Sequence, residues 1–219
     1  GAVSGRIRVA GAQVDDWEDV AVGPCAQKSC LYIADIGDNS GRRKRITLYR
    51  TPEPAAGDSE TAAVEMFHAT YPDGAHDAEA LFVTADADVF VITKGDPGPV
   101  ALYRFPRPLR PGGSHMLQRI GEPLAVNNVD AKDRPTAADI SPDGRWVAVR
   151  TTHHIRFYRT ADLIAARWSE AFRADVTALD EPRGEGVTFA TDSEIVLVGE
   201  GGGLTRRPGT FAALACTLK

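Results

Sequence analysis

Three short segments recur at almost constant spacing: Leu48-Tyr49-Arg50-Thr51-Pro52, Leu102-Tyr103-Arg104-Phe105-Pro106 and Phe157-Tyr158-Arg159-Thr160, 54 and 55 residues apart. A period of this length constrains the fold strongly, because each repeat must be one supersecondary unit that buries its apolar face on the next. A second signature lies upstream of each: Trp17-Glu18-Asp19-Val20, Ala78-Glu79-Ala80-Leu81, Ala138-Asp139-Ile140-Ser141, and a fourth, Gly184-Glu185-Gly186-Val187. Each sets an acidic residue just before a short apolar strand. Between the signatures run Leu31-Tyr32-Ile33-Ala34, Val89-Phe90-Val91-Ile92, Trp146-Val147-Ala148-Val149 and Ile195-Val196-Leu197-Val198. Such runs suit strands buried on both faces. A more polar fourth strand follows near 64–69 and 116–120. Four short antiparallel strands per repeat predict an all-β chain, a β-propeller of four-stranded antiparallel blades. About four blades are visible, with five or six expected when the ring is complete.

One helix is expected to interrupt the pattern. Ile164, Trp168, Ala171 and Phe172 share a helical face over 161–172, with Thr160 placed to cap it. Residues 5–11 resemble a lone fourth strand, and the last repeat stops after its third strand near 210–216. Residues 1–219 are therefore read as a single propeller domain lacking an N-terminal blade segment, whose return would close the ring and cover two raw sheet edges.

The net charge is −5 and the isoelectric point about 5.6, which makes a phosphate backbone a poor partner. The basic cluster Arg42-Arg43-Lys44-Arg45 reads as a solvated loop or, less simply, an anion site. No apolar run approaches the roughly 20 residues of a membrane span. Cys25 and Cys30 bracket a short polar stretch before an apolar strand. They read as a hairpin disulfide formed in an oxidising compartment, or else as two reduced thiols in a cytosolic protein. On the first reading the protein is secreted, periplasmic or held at the cell surface. Cys216 is then odd, and the absent N-terminal segment is the expected partner.

Asp35-Ile36-Gly37-Asp38-Asn39, the Trp17-Glu18-Asp19-Val20 start and Tyr71-Pro72-Asp73-Gly74-Ala75-His76-Asp77-Ala78-Glu79-Ala80 together resemble an uncharacterised family of exported bacterial β-propellers. In that family a further N-terminal blade usually precedes this starting point. The Ser141-Pro142-Asp143-Gly144 turn is similar to repeats of TolB-like propellers. More distantly, the acidic strand starts resemble those of calcium-dependent lactonase and phosphotriesterase propellers, in which carboxylates and amides ring an axial metal.

That resemblance and the repeat register together place Glu18, Glu79, Asp139 and Glu185 around the mouth of a central channel, as expected metal ligands. Loops on the same face would offer Asp35, Asp38 and Asn39, then Lys94 and Asp96, then His153 and His154, then Glu200. Converging oxygens suit Ca²⁺, which accepts 6–8 of them in flexible geometry. The competing expectation is that each acid binds backbone amides of the neighbouring blade and locks the ring. The Asp35–Asn39 stretch, likewise, is either a ligand loop or a tight turn with Gly37 at positive φ. His76 and Asp77 form either a base–carboxylate pair facing the channel or a brace for their loop.

No G-x-S-x-G elbow and no phosphate-binding glycine motif is present. The leading expectation is a small ligand or a cation held at an acidic rim, with no reaction assigned. The alternatives are a calcium-dependent hydrolase of lactones or phosphoesters and a protein-interaction scaffold.

Overall fold

The computed structural model describes residues 5–26, 28–96, 98–127, 129–202 and 207–218. Strand β1 (Trp17–Cys25) begins an antiparallel meander through β2 (Lys28–Asp35), β3 (Ile46–Pro52) and β4 (Glu65–Thr70), the first blade. The second blade runs through β5 (Ala78–Val83), β6 (Val89–Thr93) and β7 (Pro99–Arg104). The chain then turns back as β8 (Ser114–Met116), which pairs parallel with β4, before β9 (Gln118–Asn127) completes the blade. The third blade holds β10 (Pro135–Ile140), β11 (Trp146–Thr151), β12 (His154–Arg159) and β13 (Glu170–Asp175). The fourth holds β14 (Arg183–Thr191), β15 (Glu194–Glu200) and β16 (Thr210–Ala215). These are four antiparallel blades of a β-propeller.

The blades stack face to face through three apolar layers. Tyr32, Leu48 and Phe67 of blade one meet Leu81, Val91 and Tyr103 of blade two. Phe82, Phe90 and Ile92 from the opposite face of blade two meet Val147, Val149 and Tyr158. Trp146, Ala148 and Phe157 then meet Val187, Phe189 and Leu197. Successive residues of a strand point to opposite faces, so an inner strand sandwiched between two layers is buried on both faces and apolar through its middle, with polar residues such as Glu79 and Arg150 only toward its ends. This is why β5, β6 and β11 are buried throughout.

The connections depart from expectation in two places. Helix α1 spans only Thr160–Ile164, and no side chain caps its start. Ala166 adopts a left-handed φ of 59° and ends it, freeing Ala171 and Phe172 to enter β13 against β12. Residues 5–11 form no blade strand. Arg8 makes an isolated parallel bridge to Glu60, and Ala10 accepts the amide of Val64 at 3.0 Å, so the segment lies along the approach to β4.

Cys25 and Cys30 form a disulfide across the β1–β2 turn, with Cα atoms 5.8 Å apart. Cys216 is a free thiol, partly exposed. Among the described residues, no helix is long and apolar enough to cross a membrane.

Candidate cation site at the channel mouth

In all four innermost strands the ladder slips by one residue near its start. Trp17 faces Asp35 while Asp19 faces Ala34, which leaves Glu18 as the extra residue of a bulge. The same slip leaves out Glu79 in β5, Thr136 in β10 and Glu185 in β14. Bulges bend a strand and re-aim a side chain. Here they turn three glutamates to one end of the axis, where Glu18, Glu79 and Glu185 share a cavity of about 460 Å³ with Asp16, Asn39 and Arg183.

Glu18, Asp77 and Glu79 each offer an oxygen within 4.8 Å of the others. Asp77 and Glu79 are buried. Lys94, from the loop after β6, extends its ammonium into the group, 3.2 Å from Asp77 Oδ2, paired with Glu79 Oε1 and 3.4 Å from Asn39 Oδ1. Burial pulls the Lys94 pKa down, but Glu79 and Asp77 outweigh it and hold the pKa above the usual lysine value. The amine therefore stays protonated and acts as an internal cation. Glu79 is only 2% exposed, and its second oxygen, Oε2, has no hydrogen-bond partner among the described residues.

Glu18 feels the crowding most. Burial, then Glu79, Asp16 and Asp77, push its pKa up to about 8 against the opposing pull of Lys94. Glu185 is pushed up to about 7, chiefly by burial, although Arg183 lies 2.5 Å away and favours its charge. Three carboxylates and one ammonium leave two negative charges among Glu18, Asp77, Glu79 and Lys94 when all are ionised. A divalent ion would balance them, and its oxygen preference matches the donors.

The fourth expected ligand, Asp139, lies elsewhere. It is three residues past the bulge at Thr136, and its carboxylate accepts the amide and hydroxyl of Phe189 and Thr188, both at 2.8 Å. Asp19 is similar. Its Oδ2 accepts the amides of Leu81 at 2.8 Å and Ala138 at 3.1 Å, while Oδ1 takes that of Val20 at 2.9 Å. Burial raises both pKa values, against the backbone donors. Asp139 and Asp19 bridge blades, and neither joins the cluster. Matching acids by sequence position misaligned Asp139, because a bulge shifts the register without leaving a residue-type signal.

The Asp35–Asn39 loop is held by its own carboxylates. Asp35 accepts the Asp15 and Asp16 amides at 3.2 and 3.0 Å and pairs with Arg43 at 2.8 Å. Asp38 accepts the Arg43 amide at 2.7 Å and the Arg42 amide at 3.0 Å, and these outweigh burial to lower its pKa. Asn39 reaches the cluster with its side chain, through Lys94, and Asp38 only with its backbone amide, which donates to Asp77. Gly37 does not take a positive φ. A glycine fits there because a Cβ would collide with the Asp16 and Glu18 carboxylates.

His76 bonds Asp73 at 3.1 Å and the Tyr103 hydroxyl at 3.0 Å, with Tyr71 edge-on to both rings. Asp77 turns the other way, accepting the Asp38 amide at 2.7 Å beside Lys94. The two neighbours thus serve separate sites. Among the remaining loop residues, Asp96 pairs with Arg134, His154 with Asp133 and Glu200 with Arg183, at 2.7, 3.1 and 3.2 Å.

No family model and no curated protein matches the sequence. Among solved structures the chain is similar to Sqt1 from Chaetomium thermophilum, at 15% identity and a TM-score of 0.37, over 96% of this chain and 64% of that one.

Proposed function

We propose that this protein binds a small cation, Ca²⁺ foremost, at the bulged end of its channel. The observation that carries the reading is Glu79 Oε2, a buried carboxylate oxygen without a partner beside two further carboxylates. Such an atom is costly to bury unpaired, and a cation seated between it and Glu18 would remove the cost. Lys94 already holds one oxygen each of Asp77 and Glu79, so Glu18 and Glu79 Oε2 would be the first contacts, with Asn39 and water completing the shell. The Cys25–Cys30 disulfide supports a protein working in an oxidising compartment.

The test is thermal unfolding of chelator-stripped protein with and without millimolar Ca²⁺, beside a Glu18→Gln/Glu79→Gln double variant. Ligand at a hundred times its Kd stabilises by about 2.7 kcal/mol, roughly 5–10 °C for a chain of this size. A rise of that order in the wild type, absent in the double variant, is the expected result. An identical melting temperature with and without Ca²⁺ in the wild type would sink the proposal.

A further inference from the structure

The basic run Arg42-Arg43-Lys44-Arg45 leads into β3 and lies outside the acidic cluster. Asp38 accepts the amides of Arg42 and Arg43 and so turns the loop back on itself. Arg43 folds inward. Its guanidinium donates to the Gly37 carbonyl and to Asp35, both at 2.8 Å, and faces Asp15 at 3.3 Å. Lys44 and Arg45 are exposed, and among the described residues neither has an ion-pair partner.

Both line a cavity of about 690 Å³ on the face of blade one that is turned away from blade two. Asp35, Thr47 and His68 stand opposite one another across β2, β3 and β4 and share that face. Tyr49 and Met66 form the next row. The layers in which described blades meet are built on apolar side chains, and a row of carboxylate, hydroxyl and imidazole is not such a layer. The chain's own residues 13–16 wall the cavity instead. The Tyr49 hydroxyl accepts the Gln13 amide at 3.3 Å and donates to the Gln13 carbonyl at 2.9 Å, while the Asp15 and Asp16 amides hold Asp35.

His68 senses the charge of this cavity. Burial, then Arg45, pull its pKa below the ordinary imidazole value. Its Nδ1 lies 3.2 Å from the Thr47 hydroxyl, which leaves Nε2 without a hydrogen-bond partner among the described residues. The two carboxylates of the lining, Asp15 and Asp35, are engaged by Arg43 and, for Asp35, by backbone amides. Lys44, Arg45 and His68 therefore face the cavity as donors, with the acids already spent.

We infer that this cavity binds the phosphate or sulfate group of a small ligand, with Lys44 and Arg45 supplying the charge and His68 a directed N–H. Three donors from the loop and from β4 match the three free oxygens of such a group better than the two of a carboxylate, and a guanidinium fork suits them. The volume lies within the roughly 300–1,000 Å³ of small-molecule pockets, so an organic body fits beside the anion. The net charge of −5 disfavours a polyanion as the source. The inference is independent of the cation site.

Proton NMR of the His68 ring, assigned with His68→Gln, tests it during titration with inorganic phosphate against chloride at constant ionic strength and about pH 6.5. The His68 signals are expected to move saturably, and its pKa to rise by about one unit, because an adjacent anion favours imidazolium. By linkage, phosphate then binds the protonated ring about tenfold more tightly than the neutral one. Lys44→Ala/Arg45→Ala should weaken phosphate by about tenfold or more with an unchanged melting temperature, since both side chains are exposed. Arg42→Ala, outside the cavity lining, should bind as the wild type does. Phenyl phosphate binding more tightly than the free ion would support an organic ligand. A His68 pKa that phosphate leaves unmoved, a saturable shift that survives Lys44→Ala/Arg45→Ala, or acetate binding as tightly as phosphate would each overturn the inference.

Discussion

Asp19 accepts the backbone amide of Ala138 at 3.1 Å, reaching from the innermost strand of the first blade to that of the third. The same oxygen takes the Leu81 amide of the second blade at 2.8 Å. One carboxylate thus ties three blades at the axis. Asp19→Ala would leave those amides without an acceptor, at about 1–3 kcal/mol for each buried orphan. Urea denaturation should report a loss of about 2–4 kcal/mol. A loss below about 0.5 kcal/mol, the range of ordinary surface changes, would show that the amides find other partners.

Lys94 is both a brace and a competitor. Lys94→Met would leave Asp77 and Glu79 buried without their counter-charge, and breaking a buried pair costs about 3–5 kcal/mol. Its ammonium is partly open to solvent, so the lower end is expected. On the cation reading, millimolar Ca²⁺ should restore most of that loss and stabilise the variant more than it stabilises the wild type. Paired melting curves with and without the ion decide it, and a variant that Ca²⁺ fails to rescue counts against the site.

Glu18 supplies a pH signature with a definite sign. Its folded pKa of about 8 lies above the 4.5 of an ordinary glutamate, so the folded state holds the proton more tightly. The resulting stabilisation is complete below about 4.5 and is lost as pH rises through about 8. In chelator, the stability of the wild type relative to Glu18→Gln should therefore fall between pH 5 and 9. A flat difference across that window would mean that Glu18 ionises like a solvent-exposed acid.

Gly37→Ala probes the crowding directly. The added methyl would meet the Asp16 and Glu18 carboxylates, and overpacking of this kind costs about 1–3 kcal/mol. Gly41→Ala, at φ 64° with open space around it, should cost about 1–2 kcal/mol, from backbone strain alone. Calcium response should weaken in the first variant and persist in the second. Equal behaviour of the two would remove Gly37 from the site.

The blades were legible because burial on two faces forces unbroken apolar runs such as Val89–Ile92, and because Leu48, Leu102 and Phe157 recur at one phase. The disulfide was legible from the spacing of Cys25 and Cys30. The composition of the acidic cluster was not. Asp19 and Glu18 are adjacent and chemically alike, yet the bulge sends one among the amides of two other blades and the other to the channel mouth. Asp139 matched the pattern by residue type and lies in the wrong phase. Lys94 stood in the expected loop, but nothing in Thr93-Lys94-Gly95 announces that its ammonium would neutralise two carboxylates of a neighbouring strand start. Phe172 reads as helical until Ala166 breaks the phase. These outcomes depend on registers and on contacts between blades, which residue order alone does not encode.

The return of β8 onto β4 distributes cooperativity unevenly along the ring. The chain between β7 and β9 is stitched as β8 into the sheet of blade one, so the first two blades are tied by backbone as well as by a side-chain layer, whereas the described contacts of blades three and four rest on side chains, the buried Arg150–Glu181 pair among them. Local opening should therefore begin at the fourth blade and travel toward the first, with the first two melting as one unit. A protease acting on partly opened molecules would accumulate a core containing β1 to β9 before any smaller piece.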